Sequence, residues 1–312
     1  MNKVLQLLRK IAPVLIVGLT VFFFAAALGR NWEQVQGISL VPNAQTVSGV
    51  ILLMLSVLVS GILWGRVLNK LVPSKHVSNA DALRIHTASW LLKYIPGQAG
   101  SYVNKVAWGV KQGYSKKALT NSFIYENALL LFASIIITFP VVMFALSSRL
   151  SQNIMLFAPL LVAVPLVLVL HQKTFYTVTN TLFTKLRKQT ISKDLFLRTE
   201  QIALLQVEFI IPRLLTGAAF VCIAASLVSV SPADYIPLGA IYILAGVVGL
   251  LAIFVPSGLG VREAVIVLLA SAYMPPAQAV IVSVAARFYA TIADLALTGI
   301  YLVLNRGKIT QR

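Results

Sequence analysis

Between Ala118 and Leu146 the chain carries a single charged side chain, Glu126, in a run otherwise dominated by apolar residues. As a helix rising about 1.5 Å per residue, such a run is longer than the ~30 Å hydrocarbon core of a bilayer. Apolar runs of this kind recur along the sequence. A soluble globular protein carries roughly 25% charged residues, whereas here 11% are charged, 58% are hydrophobic and the mean hydropathy is +0.86. Strands of a membrane barrel would alternate apolar and polar residues over about ten positions, and these runs do not. The chain reads as an all-α polytopic membrane protein.

A net charge of +17 would suggest nucleic acid in a soluble protein. Here the cations cluster in short connections between apolar segments, as positive-inside bias requires, so nucleic acid is not an expected partner. Cys222 is the one cysteine, which excludes an intrachain disulfide and a cysteine-based metal site. His76, His86 and His171 lie near segment ends without ligand spacing and read as interfacial. The N-terminal stretch, with Lys3, Arg9 and Lys10 before an apolar run, resembles a signal peptide but reads as an uncleaved first helix.

Five apolar segments follow in clear order, at about 11–28, 47–68, 118–146, 154–170 and 201–230, and a last one covers about 277–304. Basic residues place the amino end and the loops carrying Arg66, Lys70, Lys75 and Arg84 in the cytoplasm. The stretch 171–199, with Lys173, Lys185, Arg187, Lys188, Lys193 and Arg198, reads as a solvated cytoplasmic basic loop facing anionic lipid. Within 201–230, Pro212 should kink the helix beside Glu208, because its ring clashes with the carbonyl four residues back. Arg213 adjoins that kink.

Two stretches do not fit full crossings. Residues 86–117 are apolar for only about ten residues at a time, about half a hydrocarbon core, and meet at Pro96-Gly97-Gln98-Ala99-Gly100-Ser101. Residues 237–274 are interrupted by Pro256-Ser257-Gly258-Leu259-Gly260-Val261. Backbone freed at such breaks is tolerated in a membrane only where protein or a wet cavity receives it. Both read as re-entrant helical hairpins, the first entering from the cytoplasm and the second from outside. The expected fold is thus about six full transmembrane helices plus two oppositely oriented re-entrant hairpins, with both termini cytoplasmic. Of the 26 lysines and arginines, two (Arg30, Arg149) then lie outside and five (Lys93, Lys105, Arg213, Arg262, Arg287) within the membrane, leaving 19 inside. Making one hairpin fully spanning inverts everything after it and spoils that bias; the count leaves open that both span. The layout also implies an inverted repeat, 47–146 against 201–304, within one membrane domain.

Such repeats supply binding sites where broken helices meet. The half-helix after the second break presents free N–H groups and its positive dipole end beside Arg262, whose fork suits phosphate oxygens. Gly258, Gly260, Arg262 and Glu263 are therefore candidate substrate-binding residues, with Lys93, Gly97, Gly100, Ser101 and Lys105 as counterparts at the first break. The alternative is that the glycines only allow close packing and that Arg262 pairs with Glu263 or Asp294. Arg287 and Asp294 are seven apart on one helix face, and Glu126, Glu208 and Arg213 are embedded in the same way. The carboxylates could pair the arginines, bind an amino headgroup or carry protons. Trp64, Trp90, Trp108 and Phe22-Phe23-Phe24 read as packing and interfacial belts. Neither break matches a phosphate loop of nucleotide hydrolases. No nucleophile, metal or cofactor motif is present, so an enzyme is not expected and no cofactor or metal is implied.

The segments SWLLKYIPGQAGSYVNKV, FIYENALLL, FVPSGLGVREAVIVLL and ARFYATIADLAL resemble the lysylphosphatidylglycerol-synthase transmembrane family. The resemblance covers most of the chain. It implies a flippase-like module of a prokaryotic cytoplasmic membrane that moves phospholipids or glycolipids, with Pro96, Gly97 and Gly100 in one motif and Pro256, Gly258, Gly260, Arg262 and Glu263 in the other. The sequence ends at Arg312 without a soluble aminoacyl-transfer domain, so it is not expected to make lysyl lipid itself. The functional expectation is a flippase for an anionic phospholipid, an aminoacyl-lipid or a lipid-linked sugar. The rival is a non-transporting subunit that scaffolds a glycosyltransferase or lipid synthase. Expected partners are the lipid substrate, such an enzyme, and a second copy in a homodimer.

Overall fold

A computed structural model describes residues 41–90, 92, 99–146, 171–187, 190–252, 258 and 260–309. The first and fourth apolar segments, and the tip of the first break with Lys93, Pro96 and Gly97, lie outside the described residues. Ten α-helices cover most of the rest: α1 (Ala44–Leu71), α2 (Asn79–Trp90), α3 (Ala99–Lys111), α4 (Lys116–Leu146), α5 (Gln172–Arg187), α6 (Thr199–Glu208), α7 (Ile210–Leu227), α8 (Tyr235–Leu251), α9 (Val261–Ala270) and α10 (Pro276–Ile309). Among the described residues, five helical stretches, 44–71, 116–141, 193–227, 232–251 and 276–299, are long and apolar enough to cross a membrane. The protein is an all-α, multi-pass membrane protein.

Local chemistry sets the helix ends. Ser78 starts α2 by accepting the Asp81 N–H on its hydroxyl at 3.1 Å, so the stretch read as a loop before residue 86 is already helical. The helix expected over 201–230 is divided at Phe209, directly after Glu208, where Pro212 cannot supply the N–H that would bond the carbonyl of residue 208. Gly258 and Gly260 have φ of 64° and 84°, a conformation that suits glycine and leads the chain into α9. α8 has 17 residues and α9 ten, so α9 is about 15 Å long and cannot cross a bilayer alone.

The described residues form two compact units. The first comprises those up to Val57, those from Thr87 to Ser101 and those from Leu214 onward. Its core gathers Phe220, Ile223, Leu238, Tyr242, Ile266, Val282 and Tyr289 among many alanines. Phe220 stacks on Tyr242 with centroids 4.6 Å apart. The α8–α9 hairpin packs here against α7 and α10.

The second unit comprises Leu58–His86 and Tyr102–Arg213. Its core holds Leu63, Val67, Tyr125, Leu129, Phe175, Leu197, Ile202 and Phe209, with Trp64, Leu68 and Leu119 in an adjoining cluster. The stretch 171–199 is not a solvated loop. Its helix α5 buries Phe175 against Tyr125, with ring centroids 4.2 Å apart. Asn180 then ties down the return chain by accepting the Ile191 N–H at 2.8 Å and donating to its carbonyl at 3.1 Å. The basic residues remain while the apolar face of α5 builds core, which the charge count could not reveal.

Candidate functional site

In the first unit the site is built on the α8–α9 turn. Gly258 approaches the α8 backbone so closely that an added Cβ would lie 2.7 Å from the Gly249 Cα. That approach brings the start of α9 onto α8. Glu263 fixes it by accepting the Gly260 N–H on Oε2 at 2.6 Å, a one-way cap from the first turn of α9. Arg262, one residue before, lays its side chain back along α8. Its stem crosses Gly249, its guanidinium lies over Gly246, and its Cζ is 5.9 Å from the Tyr242 ring centroid. Residues 242, 246 and 249 share one face of α8: an aromatic ring and two glycines make a channel that one arginine fills.

Around this arginine the carboxylates are already engaged. Glu263, buried, holds Gly260 and stands 3.7 Å from the Arg287 Nη1 of α10. Asp294, also buried, accepts the Trp90 indole N–H on Oδ1 at 2.6 Å. Among the described residues no carboxylate pairs with Arg262, so the expected alternative pairing with Glu263 or Asp294 does not occur. What remains is a guanidinium held by cation–π contact at the positive end of a half-helix. That arrangement suits a phosphate or carboxylate.

The second unit has a separate cluster. Lys105 of α3 donates to both carboxylate oxygens of Glu126 on α4, at 2.8 and 2.6 Å, and lies 4.7 Å from a Trp64 ring centroid. His86 of α2 brings Nδ1 to 3.4 Å from Glu126 Oε1. Lys105 is 3% exposed, Glu126 and His86 each 4%, and Trp64 0%. His86, read as interfacial, is thus packed inside the protein, and Trp64 is packing core, one of the two roles read for the tryptophans. The cause is Gly61 and Gly65, four apart on α1, which let α2 approach closely. A Cβ at Gly61 would lie 3.0 Å from the His86 Cβ, and one at Gly65 would lie 2.6 Å from the Ala82 Cβ. This G-x-x-x-G pattern was the signal that could have found His86.

The other candidates divide accordingly. Glu208 pairs with Arg66 at 2.6 Å, a partner half exposed to its surroundings, and Arg213 lies in the first turn of α7 beyond the same break. Gly100 and Ser101 lie in the first turn of α3. Tyr242, Gly246 and Gly249, missed in the sequence, were hidden in an apolar helix; their spacing of four and seven along one face was the available clue. No group of three or more metal-ligating side chains occurs among the described residues.

Membrane-length apolar helices with charged side chains buried among them define a multi-pass membrane module. A family model described as the lysylphosphatidylglycerol synthase TM region matches residues 10–297. The chain belongs to that family. No curated protein matches it.

Proposed function

We propose that this protein is a lipid flippase that moves an anionic phospholipid, an aminoacyl-lipid or a lipid-linked sugar across the cytoplasmic membrane of a prokaryote. The observation that carries the proposal is Arg262: a guanidinium without a carboxylate partner among the described residues, lodged in the Tyr242-Gly246-Gly249 channel at the start of α9. A lipid phosphate is the complementary ligand, because a guanidinium fork and free helix N–H groups both favour a tetrahedral oxyanion. The acyl or prenyl chains stay in the bilayer. Glu263 and Arg287 hold the turn in place, and Asp294 and Trp90 position α10 beside it. α8–α9 acts as a re-entrant hairpin facing opposite to α2–α3, and rocking of the two inverted repeats exposes the headgroup alternately to each side. This chain carries and does not transform its lipid.

The test is reconstitution of the purified protein into phosphatidylcholine vesicles containing labelled phosphatidylglycerol, labelled phosphatidylcholine or a polyprenyl-phosphate sugar. Faster movement of a lipid with an anionic headgroup than of phosphatidylcholine supports the proposal. No movement and no binding of any of them overturns it and favours the scaffold reading, for which Arg262→Ala would weaken a complex with a lipid-modifying enzyme instead.

A further inference from the structure

The second unit holds a group of titratable side chains that the Arg262 site does not use. We propose that His86, Lys105 and Glu126 form a proton-linked anion site, in which a phosphate group takes the Lys105 ammonium only as Glu126 takes up a proton. The inference deepens the flippase reading and rests on it for the source of the phosphate.

In this structure Lys105 of α3 is enclosed by groups from three other helices. Glu126 of α4 accepts from it on both oxygens, at 2.8 and 2.6 Å. The Trp64 ring of α1 lies 4.7 Å away. His86 of α2 stands 3.4 Å from the same carboxylate. The titratable groups that face one another here are these three, one each from α2, α3 and α4. The charged residue nearby on α1, Arg66, is bonded to Glu208 instead. Matching of Lys105 by Glu126 leaves no net charge for a second anion. A closed ion pair of this kind gains little stability over well-packed apolar residues, and three ionisable side chains at one buried point of a membrane module mark a functional site.

An anionic phosphodiester that reaches Lys105 must displace the carboxylate. Glu126 then becomes a buried charge without a partner, which is strongly unfavourable until a proton neutralises it. The exchange balances: an ammonium–carboxylate pair plus one phosphodiester anion and one proton becomes an ammonium–phosphodiester pair plus a neutral carboxylic acid. The site's charge is unchanged, and anion and proton enter together. His86, with a ring nitrogen already beside the carboxylate, is the group placed to relay that proton.

The experiment uses the full chain in phosphatidylcholine nanodiscs, in weakly buffered solution with a pH-indicator dye. The probes are dimethyl phosphate, a phosphodiester without acyl chains, and short-chain phosphatidylglycerol. Proton uptake of about one per protein is expected on anion binding from the linkage at Lys105, while anion held at Arg262 brings none, and the uptake disappears in Glu126→Gln. Any anion still bound by that variant enters without a proton. Uptake with phosphatidylglycerol alone assigns the anion as a lipid headgroup, and uptake with both probes shows that the phosphodiester suffices. In the unaltered protein, infrared difference spectra must show a protonated-carboxyl band rising on anion addition, which needs no variant to fold. Binding without uptake, uptake undiminished in Glu126→Gln, or no bound anion overturns the inference. Translocation without proton uptake removes this site alone, whereas uptake without translocation removes the flippase reading and leaves the site standing.

Discussion

Arg262 depends on what α8 lacks. A methyl group at Gly249 would meet the arginine stem at Cγ and Cδ, so the side chain must leave its channel. Gly249→Ala is expected to weaken anionic-lipid binding about tenfold, or roughly 1.4 kcal/mol, measured by titrating phosphatidylglycerol into the detergent-solubilised protein. Unchanged affinity would mean that the channel does not position Arg262. Gly258 makes a different demand. Its φ of 64° and its backbone contact with Gly249 combine a left-handed conformation, costing about 1–2 kcal/mol for a residue with a Cβ, with a clash that no flexible atom can relieve. Gly258→Ala should lower the melting temperature in detergent by several degrees. A melting curve that overlays the unaltered protein's would refute this account of the turn.

Helices are where the sequence was most readable. The break at Gly258 and Gly260 and the interruption after Glu208 both follow from glycine and proline chemistry, and both occur where that chemistry places them. Which face of a helix packs on what was far less legible. Trp64 and His86 carry the amphipathic character that suits a membrane interface, yet both are core, because burial depends on the partner helix and the glycines that admit it. Likewise Tyr242, Gly246 and Gly249 differ little in sequence from a lipid-facing stripe until Arg262 is laid across them. The stretch 171–199 misled through its charge, since the exposed Lys173 and Lys185 of α5 conceal the buried Phe175, Thr179 and Asn180. Asn180 is the test of that fold. Removing its amide strands the buried N–H and carbonyl of Ile191, at about 1–3 kcal/mol each. Asn180→Ala should therefore destabilise the second unit by about 2–6 kcal/mol and speed hydrogen exchange across 191–197. Unaltered exchange there would show that the amide does not hold the segment.

At the scale of the whole molecule the proposal is an inverted pair of hairpins, and it makes a statement about sides. Cys222 is half-buried, so a Cys222→Ser background allows single cysteines to be labelled with a membrane-impermeant maleimide. Substitutions at the exposed residues Gln112 and Ser192 should label from the cytoplasmic face, and those at Ala233 and Ala272 from the opposite face. If Ala233 and Ala272 label from different faces, α8–α9 is a crossing and the re-entrant reading fails. Sidedness, however, only frames the site; the claim at its centre is that Arg262 holds the headgroup. The direct measurement compares phosphatidylglycerol translocation by the reconstituted protein and by Arg262→Ala, at equal amounts of folded protein. The account predicts a rate at least about tenfold lower in the variant, the loss of one charge-assisted phosphate contact, with partial recovery in Arg262→Lys. Equal rates in all three proteins would contradict it.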